Sequence, residues 1–298
     1  MNATDALRLL PSLLADAGLP ADPAREPLRV WAHSGVERLR FPDQASVVLK
    51  YADAPFDREH LALRLAARHD IPVPRVHAAR TIPGALLMIM DDLGEPAREA
   101  GDHDGARAAV CLHAADPAAG TWLTRVDGAG LAAMPQRMAA RLDALNLPEA
   151  AGLARTLTAA AAHRAAGAEL PPFGLCHSEY HPTSLHIGPR DWHLLDLARA
   201  FIGPGLLDLA SWHGTIAGPD TARTQALIES YAAAGGQRQA LAARGGIDAA
   251  SWALGWHRIW VADWFTEQIE RGWSEGAEET WATAITRHLT EAVSLLRA

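Results

Sequence analysis

The chain has 298 residues, 49% of them hydrophobic and 21% charged, and this composition excludes a disordered or fibrous protein. Its formal net charge of −8 argues against binding to nucleic acid without sequence preference, because such binding needs a cationic surface. The two cysteines, Cys111 and Cys176, offer no disulfide framework and favour a reducing compartment, the cytoplasm.

The N-terminal segment 1–20 lacks the basic region and the long apolar core of a signal peptide, and its pattern predicts an amphipathic helix. No stretch approaches the roughly 18 uncharged apolar residues that a membrane span requires. We therefore expect no membrane partner.

The segment 28–90 has the composition of a β-rich region. Three short, partly alternating stretches, LRVWAHSG, VERLRF and ASVVLKYA, predict a meander of three strands with Ser34 and Gly35 in its first turn. A helix follows, because apolar residues recur at helical spacing in DREHLALRLAARHD. The run ALLMIM then predicts a buried strand that ends at Asp91.

Beyond Gly94 the chain is rich in Ala and Leu at helical spacing, which predicts a mainly helical second half. The segment 173–212 interrupts this pattern, and within it LHIG and HLLDL predict a pair of strands around a turn at 189–191. Cys176 lies at the predicted buried end of another strand. A buried cysteine behaves as a small hydrophobic residue more often than as a thiol nucleophile.

One of the 27 basic residues is a lysine, Lys50, at the end of the stretch SVVLK. It follows the predicted turn at Ser34 and Gly35 and precedes a helix that contains Glu59. This order matches the phosphate-binding lobe of kinases, where a turn covers the phosphates, a strand lysine contacts them and a helix carboxylate orients the lysine. Taken singly, a surface lysine and a solvated glutamate near a helix N-terminus explain these residues equally well.

Three motifs resemble those of the aminoglycoside phosphotransferase family, relatives of choline kinase with a protein-kinase-like fold. The chain has H-S-E-Y-H-P-T-S at 177–184, L-L-D-L-A at 194–198 and G-P-G-L-L-D-L-A at 203–210, where the family has H-G-D-x-x-x-x-N, I-D-W and G-D-P-x-x-D-L-A. The segments REHLALRLAARHDIPVPRV, ALLMIMDDLG and CLHAADPA extend the resemblance over most of the chain. It implies an α+β, two-lobe kinase-like fold, with a small β-rich nucleotide-binding lobe at 1–94 and a large, mainly helical lobe at 95–298.

The resemblance implies a role for each matching residue. Lys50 should contact the α- and β-phosphates of ATP or GTP and pair with Glu59, while Asp196 and Ser184 should bind Mg²⁺ through oxygen. Glu179 stands at the position of the catalytic base. The remaining nucleotide contacts are expected from a turn over the phosphates and from backbone groups that face the purine, namely Ser34, Gly35, Met88, Ile89, Met90 and Asp91.

The same resemblance gives His177 the task of fastening the catalytic loop 177–184, and gives Asp208 the task of pinning the loop backbone. In the C-terminal part, SWALGWHRIWVADWF has a tryptophan at every fourth position, a spacing that is more typical of a helix core than of a binding platform. Comparable helices of the family contact the acceptor. The residues expected to bind the acceptor are Glu179, His181, Trp264 and Glu267.

Two positions depart from the family pattern. Glu179 replaces an aspartate, and its side chain reaches about 1.5 Å further. Since misplacement by roughly 1 Å can cost about a hundredfold in rate, this change means either a re-tuned site or an impaired one. Ser184 replaces an asparagine but still offers a neutral oxygen to a metal. A catalytically impaired nucleotide-binding protein is therefore the alternative to an active kinase.

A zinc hydrolase or deaminase is an alternative from another class. Six residues near the loop have side chains that bind metals: His177, Glu179, His181, His186, Asp191 and His193. The motif H-S-E matches H-x-E, yet no P-C-x-x-C follows and no HExxH occurs, so the spacing argues against this site.

The sequence thus predicts a cytoplasmic kinase of small molecules. We expect transfer of the γ-phosphoryl group of ATP or GTP to a hydroxyl of an aminoglycoside, peptide or nucleoside antibiotic, which would confer resistance or self-protection. A kinase of a hydroxylated metabolite is the alternative within the same fold.

Overall fold

The computed structural model describes residues 7–42, 44–274 and 276–298, and their chain forms two compact units. The first unit contains residues 7–100 and 183–200, and the second contains residues 101–182 and 201–298. This division differs from lobes at 1–94 and 95–298, which stay a prediction. No helix among the described residues is long and apolar enough to cross a membrane.

The first unit is built on a five-stranded antiparallel sheet with the strand order β1-β2-β3-β5-β4. The short helix α1, Leu10–Asp16, covers one face of the sheet, and α2 follows β3. Part of the predicted N-terminal helix, residues 1–6, lies outside the described residues. The strands and α2 span Ala24–Val30 (β1), Ser34–Phe41 (β2), Gln44–Asp53 (β3), Val76–Ile82 (β4), Ala85–Asp91 (β5) and Glu59–Arg68 (α2).

Alternation of side chains decides which face of this sheet is the core. Leu39 of β2, Leu49 of β3 and Leu87 of β5 pack in one buried cluster with Leu13 of α1. Because successive residues of a strand point to opposite faces, Lys50 lies on the other face of β3. The hydrophobic pattern therefore directs the single lysine away from the core cluster.

The predicted turn at Ser34 and Gly35 is wrong. These two residues begin β2, where they pair with Ala52 and Tyr51 of β3, and the turn itself is formed by residues 31–33. A Cβ atom at Gly35 would overlap the Tyr51 ring. The glycine is therefore explained by a close approach across two strands.

The segment 183–200 contains the predicted strand pair. Strand β7, Leu185–Ile187, pairs antiparallel with β8, Trp192–Leu194, which confirms this hairpin. The hairpin is tied to the rest of the first unit by backbone hydrogen bonds, among them one of 2.8 Å from Leu194 N to Pro72 O. Strand β8 ends before Asp196, so this aspartate lies just past the strand.

The second unit is mainly helical, as predicted. It also contains an antiparallel pair of strands, β6 (Phe173–Cys176) and β9 (Phe201–Pro204), of which the sequence indicated only the first. Helix α8 is apolar around most of its circumference and buries Trp252 and Trp256 fully, as expected of a core helix. The helices are α3 (Asp102–His113), α4 (Gly128–Ala144), α5 (Pro148–Arg164), α6 (Leu206–Ser211), α7 (Thr221–Ala233), α8 (Ala249–Glu270) and α9 (Glu278–Leu296).

Candidate active site

Lys50 lies at the centre of a buried charge cluster in the first unit. Its Nζ is 2.6 Å from Glu59 Oε2 and 2.7 Å from Asp196 Oδ1. Lys50 is 8% exposed and Glu59 1%, so water screens their interaction weakly. The predicted pairing of Lys50 with Glu59 is confirmed, and the structure adds Asp196 as a second partner of the lysine.

Burial and charge act against each other in this cluster. Burial alone would lower the pKa of Lys50, but the carboxylates of Glu59 and Asp196 raise it above its ordinary value, so the ammonium stays charged. Burial raises the pKa of Glu59 to about 7, while the ammonium of Lys50 opposes that rise. Glu59 therefore changes its charge near neutral pH, whereas Lys50 does not.

Asp196 and Ser184 offer oxygen ligands for a divalent cation. The backbone N–H of Leu195 donates to the Ser184 carbonyl at 2.8 Å, which holds the two segments side by side. Asp196 has the left-handed φ of +60°, which aspartate tolerates better than most residues, and its side chain is 52% exposed. A carboxylate and a hydroxyl are the hard donors that Mg²⁺ prefers, so these residues fit the metal.

The expected purine contacts Met88, Ile89, Met90 and Asp91 all lie on β5. Met88 pairs with Lys50 of β3 on one side and with Ala79 of β4 on the other, and the sheet engages Ile89 and Met90 in the same way. The N–H of Asp91 donates to the carbonyl of Arg75 at 3.1 Å. The sheet thus engages the backbone of 88–90 and the N–H of Asp91, and the purine contacts stay a prediction.

The predicted catalytic loop leaves β6 in the second unit, and Asp208 of α6 holds its backbone. The Asp208 carboxylate accepts the N–H of His177 at 2.8 Å and that of Ser178 at 3.0 Å. Asp208 is fully buried, and His113 Nε2 lies 3.3 Å from its Oδ2. The predicted pinning by Asp208 is confirmed.

The loop bends sharply at Ser178, which has a φ of +81°. Past this bend the N–H of Glu179 donates to His177 Nδ1 at 3.3 Å, as expected of a residue that fastens the loop. Glu179 is exposed, whereas His177 and Ser178 are buried. An exposed carboxylate on a fixed backbone suits a base that must reach a substrate hydroxyl.

Helix α8 contains the predicted acceptor-binding residues and one contact that the sequence did not indicate. Trp264 is half-buried, and Glu267 forms an ion pair with Arg271 at 2.7 Å. The indole N–H of Trp260 donates to Ser178 Oγ at 3.2 Å. The four-residue spacing predicts that these tryptophans lie along one helix, but it does not indicate that Trp260 contacts the catalytic loop.

His181, the remaining predicted acceptor contact, is an exposed residue of the catalytic loop. Partial burial lowers the pKa of His181, and the nearby His213 adds to the effect. This imidazole is therefore mostly neutral at neutral pH and can accept a hydrogen bond.

The described residues do not assemble the six side chains of the predicted zinc alternative. The cluster they bring within metal-binding distance is a different one, His113, Cys176 and Asp208. Asp208 already accepts two backbone hydrogen bonds, and burial together with Asp208 raises the pKa of the Cys176 thiol. Because both oxygens of Asp208 are used by the loop backbone, we interpret this cluster as support for the catalytic loop.

The model of the APH family, described as the phosphotransferase enzyme family, matches residues 24–250. Comparison with curated proteins gives no significant match. The chain is similar to the solved macrolide 2′-phosphotransferase of Brachybacterium faecium, with a TM-score of 0.66 and 19% identity over 94% of this chain and 98% of that one.

Two further solved structures are similar. One is a choline/ethanolamine kinase family protein of Mesorhizobium loti, with a TM-score of 0.62 and 15% identity over 98% and 99% of the two chains. The other is an amicoumacin kinase in complex with AMP-PNP, Ca²⁺ and Ami, with a TM-score of 0.56 and 12% identity over 88% and 86% of the two chains. At such identities the likeness shows the fold, which is α+β and kinase-like.

The family match runs from β1 into α8 and includes Lys50, Glu59, the catalytic loop, Asp196 and Asp208. Membership of this family implies a nucleotide and a divalent metal. The chain belongs to the phosphotransferase enzyme family and is a small-molecule phosphotransferase with a kinase-like fold.

Proposed function

We propose that this protein transfers the γ-phosphoryl group of ATP or GTP, with Mg²⁺, to a hydroxyl of a small-molecule antibiotic in the cytoplasm, and so confers resistance or self-protection. The observation behind this proposal is the buried cluster in which Lys50 Nζ lies 2.6 Å from Glu59 and 2.7 Å from Asp196. In a chain whose other basic residues are all arginine, the position with this geometry has kept a lysine.

Phosphoryl transfer depends on positioning and on neutralisation of phosphate charge. Lys50 supplies a compact point charge for the α- and β-phosphates, and Glu59 orients it. Asp196 and Ser184 would hold Mg²⁺, which supplies charge neutralisation at the phosphate oxygens. The exposed side chain of Asp196 is accessible for this task.

Glu179 would accept or orient the proton of the acceptor hydroxyl. Its backbone is fixed through His177, and Asp208 fixes the two residues before it. A glutamate at this position places its carboxylate about 1.5 Å further from the backbone than an aspartate would. The loop therefore suits a substrate whose reactive hydroxyl lies correspondingly further from the backbone of Glu179.

An antibiotic is the first choice of acceptor because the similar structures include a macrolide phosphotransferase and an amicoumacin kinase. The similar choline/ethanolamine kinase family protein favours a second candidate, a hydroxylated metabolite. His181, Trp264 and Glu267 would contact the acceptor in either case.

The test is Mg²⁺-dependent nucleotide turnover with a panel of hydroxylated aminoglycosides, macrolides, peptide and nucleoside antibiotics, beside choline and ethanolamine. We expect one class of antibiotic to stimulate turnover and to gain one phosphate by mass. Glu179→Ala should lower kcat at least ~100-fold, and Glu179→Asp should also lower it, because the shorter carboxylate misses the hydroxyl.

Glu149→Ala serves as the matched control, since it removes an exposed glutamate of α5 in the same unit. If wild type and Glu179→Ala both bind nucleotide and are equally inert with every acceptor, the protein is a nucleotide-binding protein without kinase activity. If only choline or ethanolamine stimulates turnover, the acceptor is a hydroxylated metabolite and the proposed antibiotic acceptor is wrong.

A further inference from the structure

Trp260 of α8 contacts the catalytic loop at Ser178, a residue to which the proposed reaction assigns no role. We infer that Trp260 is a positioning residue, whose indole holds Ser178 in its left-handed conformation and thereby fixes Glu179. The inference rests on the proposed function for the role of Glu179. The contact between Trp260 and Ser178 stands independently of that function.

Ser178 needs such support because of its backbone. Its φ of +81° places it in a region that glycine adopts freely and that residues with a Cβ atom avoid. Ser178 is also only 6% exposed, so water does little to stabilise its hydroxyl. A strained residue persists where its surroundings over-determine its conformation, and such residues cluster at functional sites.

Two different groups act on Ser178. Asp208 accepts its backbone N–H at 3.0 Å, and Trp260 donates to its side-chain oxygen at 3.2 Å. The first contact fixes one end of the peptide unit, and the second fixes the direction of the Cβ–Oγ bond. Glu179 is the next residue, so rotation at Ser178 would displace the proposed base directly.

Trp260 is itself held in place. Its ring stacks on Phe201 with centroids 4.6 Å apart and an interplanar angle of 28°. Phe201 lies on β9 opposite Cys176, the last residue of β6 before the loop. The aromatic pair thus connects α8 to the strand pair from which the catalytic loop leaves, and this arrangement gives the indole a fixed position relative to Ser178.

Helix α8 also supplies a matched control. The indole N–H of Trp256 donates to the carbonyl of Arg164 at 3.3 Å, a bond of the same kind and nearly the same length. Replacing either tryptophan by phenylalanine keeps an aromatic ring and removes one hydrogen bond. Trp256 is more deeply buried than Trp260, and the Arg164 carbonyl also accepts the indole N–H of Trp252 at 2.6 Å. The control change should therefore cost at least as much stability from lost packing as the change at Trp260, while only the change at Trp260 alters a contact with the loop.

The first experiment measures steady-state kinetics with whichever acceptor of the panel stimulates nucleotide turnover most. We expect Trp260→Phe to lower kcat about tenfold with the KM for nucleotide unchanged, because a displaced base slows the transfer step without affecting nucleotide contacts. Trp256→Phe should leave kcat within about twofold.

A rescue by glycine distinguishes positioning from a general loss of packing. Ser178→Gly adopts the same φ without strain and has no oxygen for Trp260 to bind. In the Ser178→Gly background, Trp260→Phe should therefore have no further effect on kcat. An equal fall of kcat in both backgrounds, or an unchanged kcat in the Trp260→Phe variant, would overturn the inference.

Hydrogen exchange tests the positioning of Ser178 by Trp260 without any acceptor present. The amides of Ser178 and Glu179 should exchange at least tenfold faster in Trp260→Phe than in wild type, and at the wild-type rate in Trp256→Phe. If wild type proves inert as a kinase, the proposed function fails, while faster exchange in Trp260→Phe still supports the positioning of Ser178 by Trp260. If transfer is active and exchange at both amides is unchanged in Trp260→Phe, the proposed function stands and the positioning role of Trp260 is rejected.

Discussion

At the scale of single residues, the site depends on how one ammonium is held between two carboxylates. Lys50 is buried with Glu59, and the charged lysine offsets part of the cost of removing Glu59 from water. Asp196 adds a second negative charge within 2.7 Å. Three charged groups in this arrangement form a preorganised receptor for phosphate and metal, since the lysine needs no rearrangement to remain charged.

Replacement of the single lysine tests its shape as well as its charge. Lys50→Arg should lower kcat/KM for nucleotide at least about tenfold, because the wide planar guanidinium cannot take the position of a compact ammonium. Steady-state kinetics measure the effect. Arg64→Lys on the exposed side of α2 is the control and should change nothing. An equally active Lys50→Arg variant would contradict the proposed role of Lys50.

Glu59 gives a pH dependence with a definite sign. Burial raises its pKa to about 7, so below that pH the carboxyl is protonated and no longer holds Lys50 by charge. We expect kcat/KM for nucleotide to rise with pH through about 7. Glu59→Gln should remove this inflection and leave a low, flat profile, and an inflection that persists there would belong to another group.

At the scale of elements, helices α8 and α9 contain two buried histidines. Burial, with Arg258 beside each ring, lowers the pKa of His257 and of His288 to about 3. Both rings are therefore neutral in the folded protein at neutral pH. In the unfolded chain the same side chains take up protons near their ordinary pKa of about 6.5.

This difference makes folding sensitive to acid. Because the unfolded state binds more protons below pH 6.5, each histidine should reduce the free energy of unfolding by ~1.4 kcal/mol per pH unit as the pH falls towards 3. Urea unfolding at pH 7.5 and pH 5 measures the slope. His257→Gln and His288→Gln should each flatten it, and a slope that neither variant changes would contradict the prediction.

At the scale of the whole molecule, a ligand that binds only the folded state stabilises it by mass action. Nucleotide at about 100 times its Kd should add ~2.7 kcal/mol to the free energy of unfolding. We expect a rise in Tm with nucleotide and Mg²⁺ together, and a smaller rise when EDTA removes the metal. Asp196→Asn should lose the part of the rise that depends on Mg²⁺, and equal rises in both proteins would exclude Asp196 as a ligand.

Several features could be predicted because they depend on element order. The pairing of Lys50 with Glu59 follows from a strand and a helix that succeed one another, and the role of Asp208 follows from its motif. The sequence places Gly35 in a turn, whereas the structure explains this glycine by the Tyr51 ring on the neighbouring strand, a contact that sequence spacing does not show. The contact of Trp260 with Ser178 could not be predicted, because helical spacing indicates which residues share a helix face but not what that face contacts. Strand β9 was missed because four residues with a glycine and a proline give no alternating pattern.

A practical consequence follows from the lone amine of Lys50. Biosynthetic incorporation of lysine ¹³C-labelled at Cε marks one residue of this chain, so NMR spectra would contain a single side-chain signal. That signal would come from the centre of the charge cluster, and its chemical shift would report phosphate binding and the ionisation of Glu59. The composition of the protein thus provides a spectroscopic probe of its own nucleotide site.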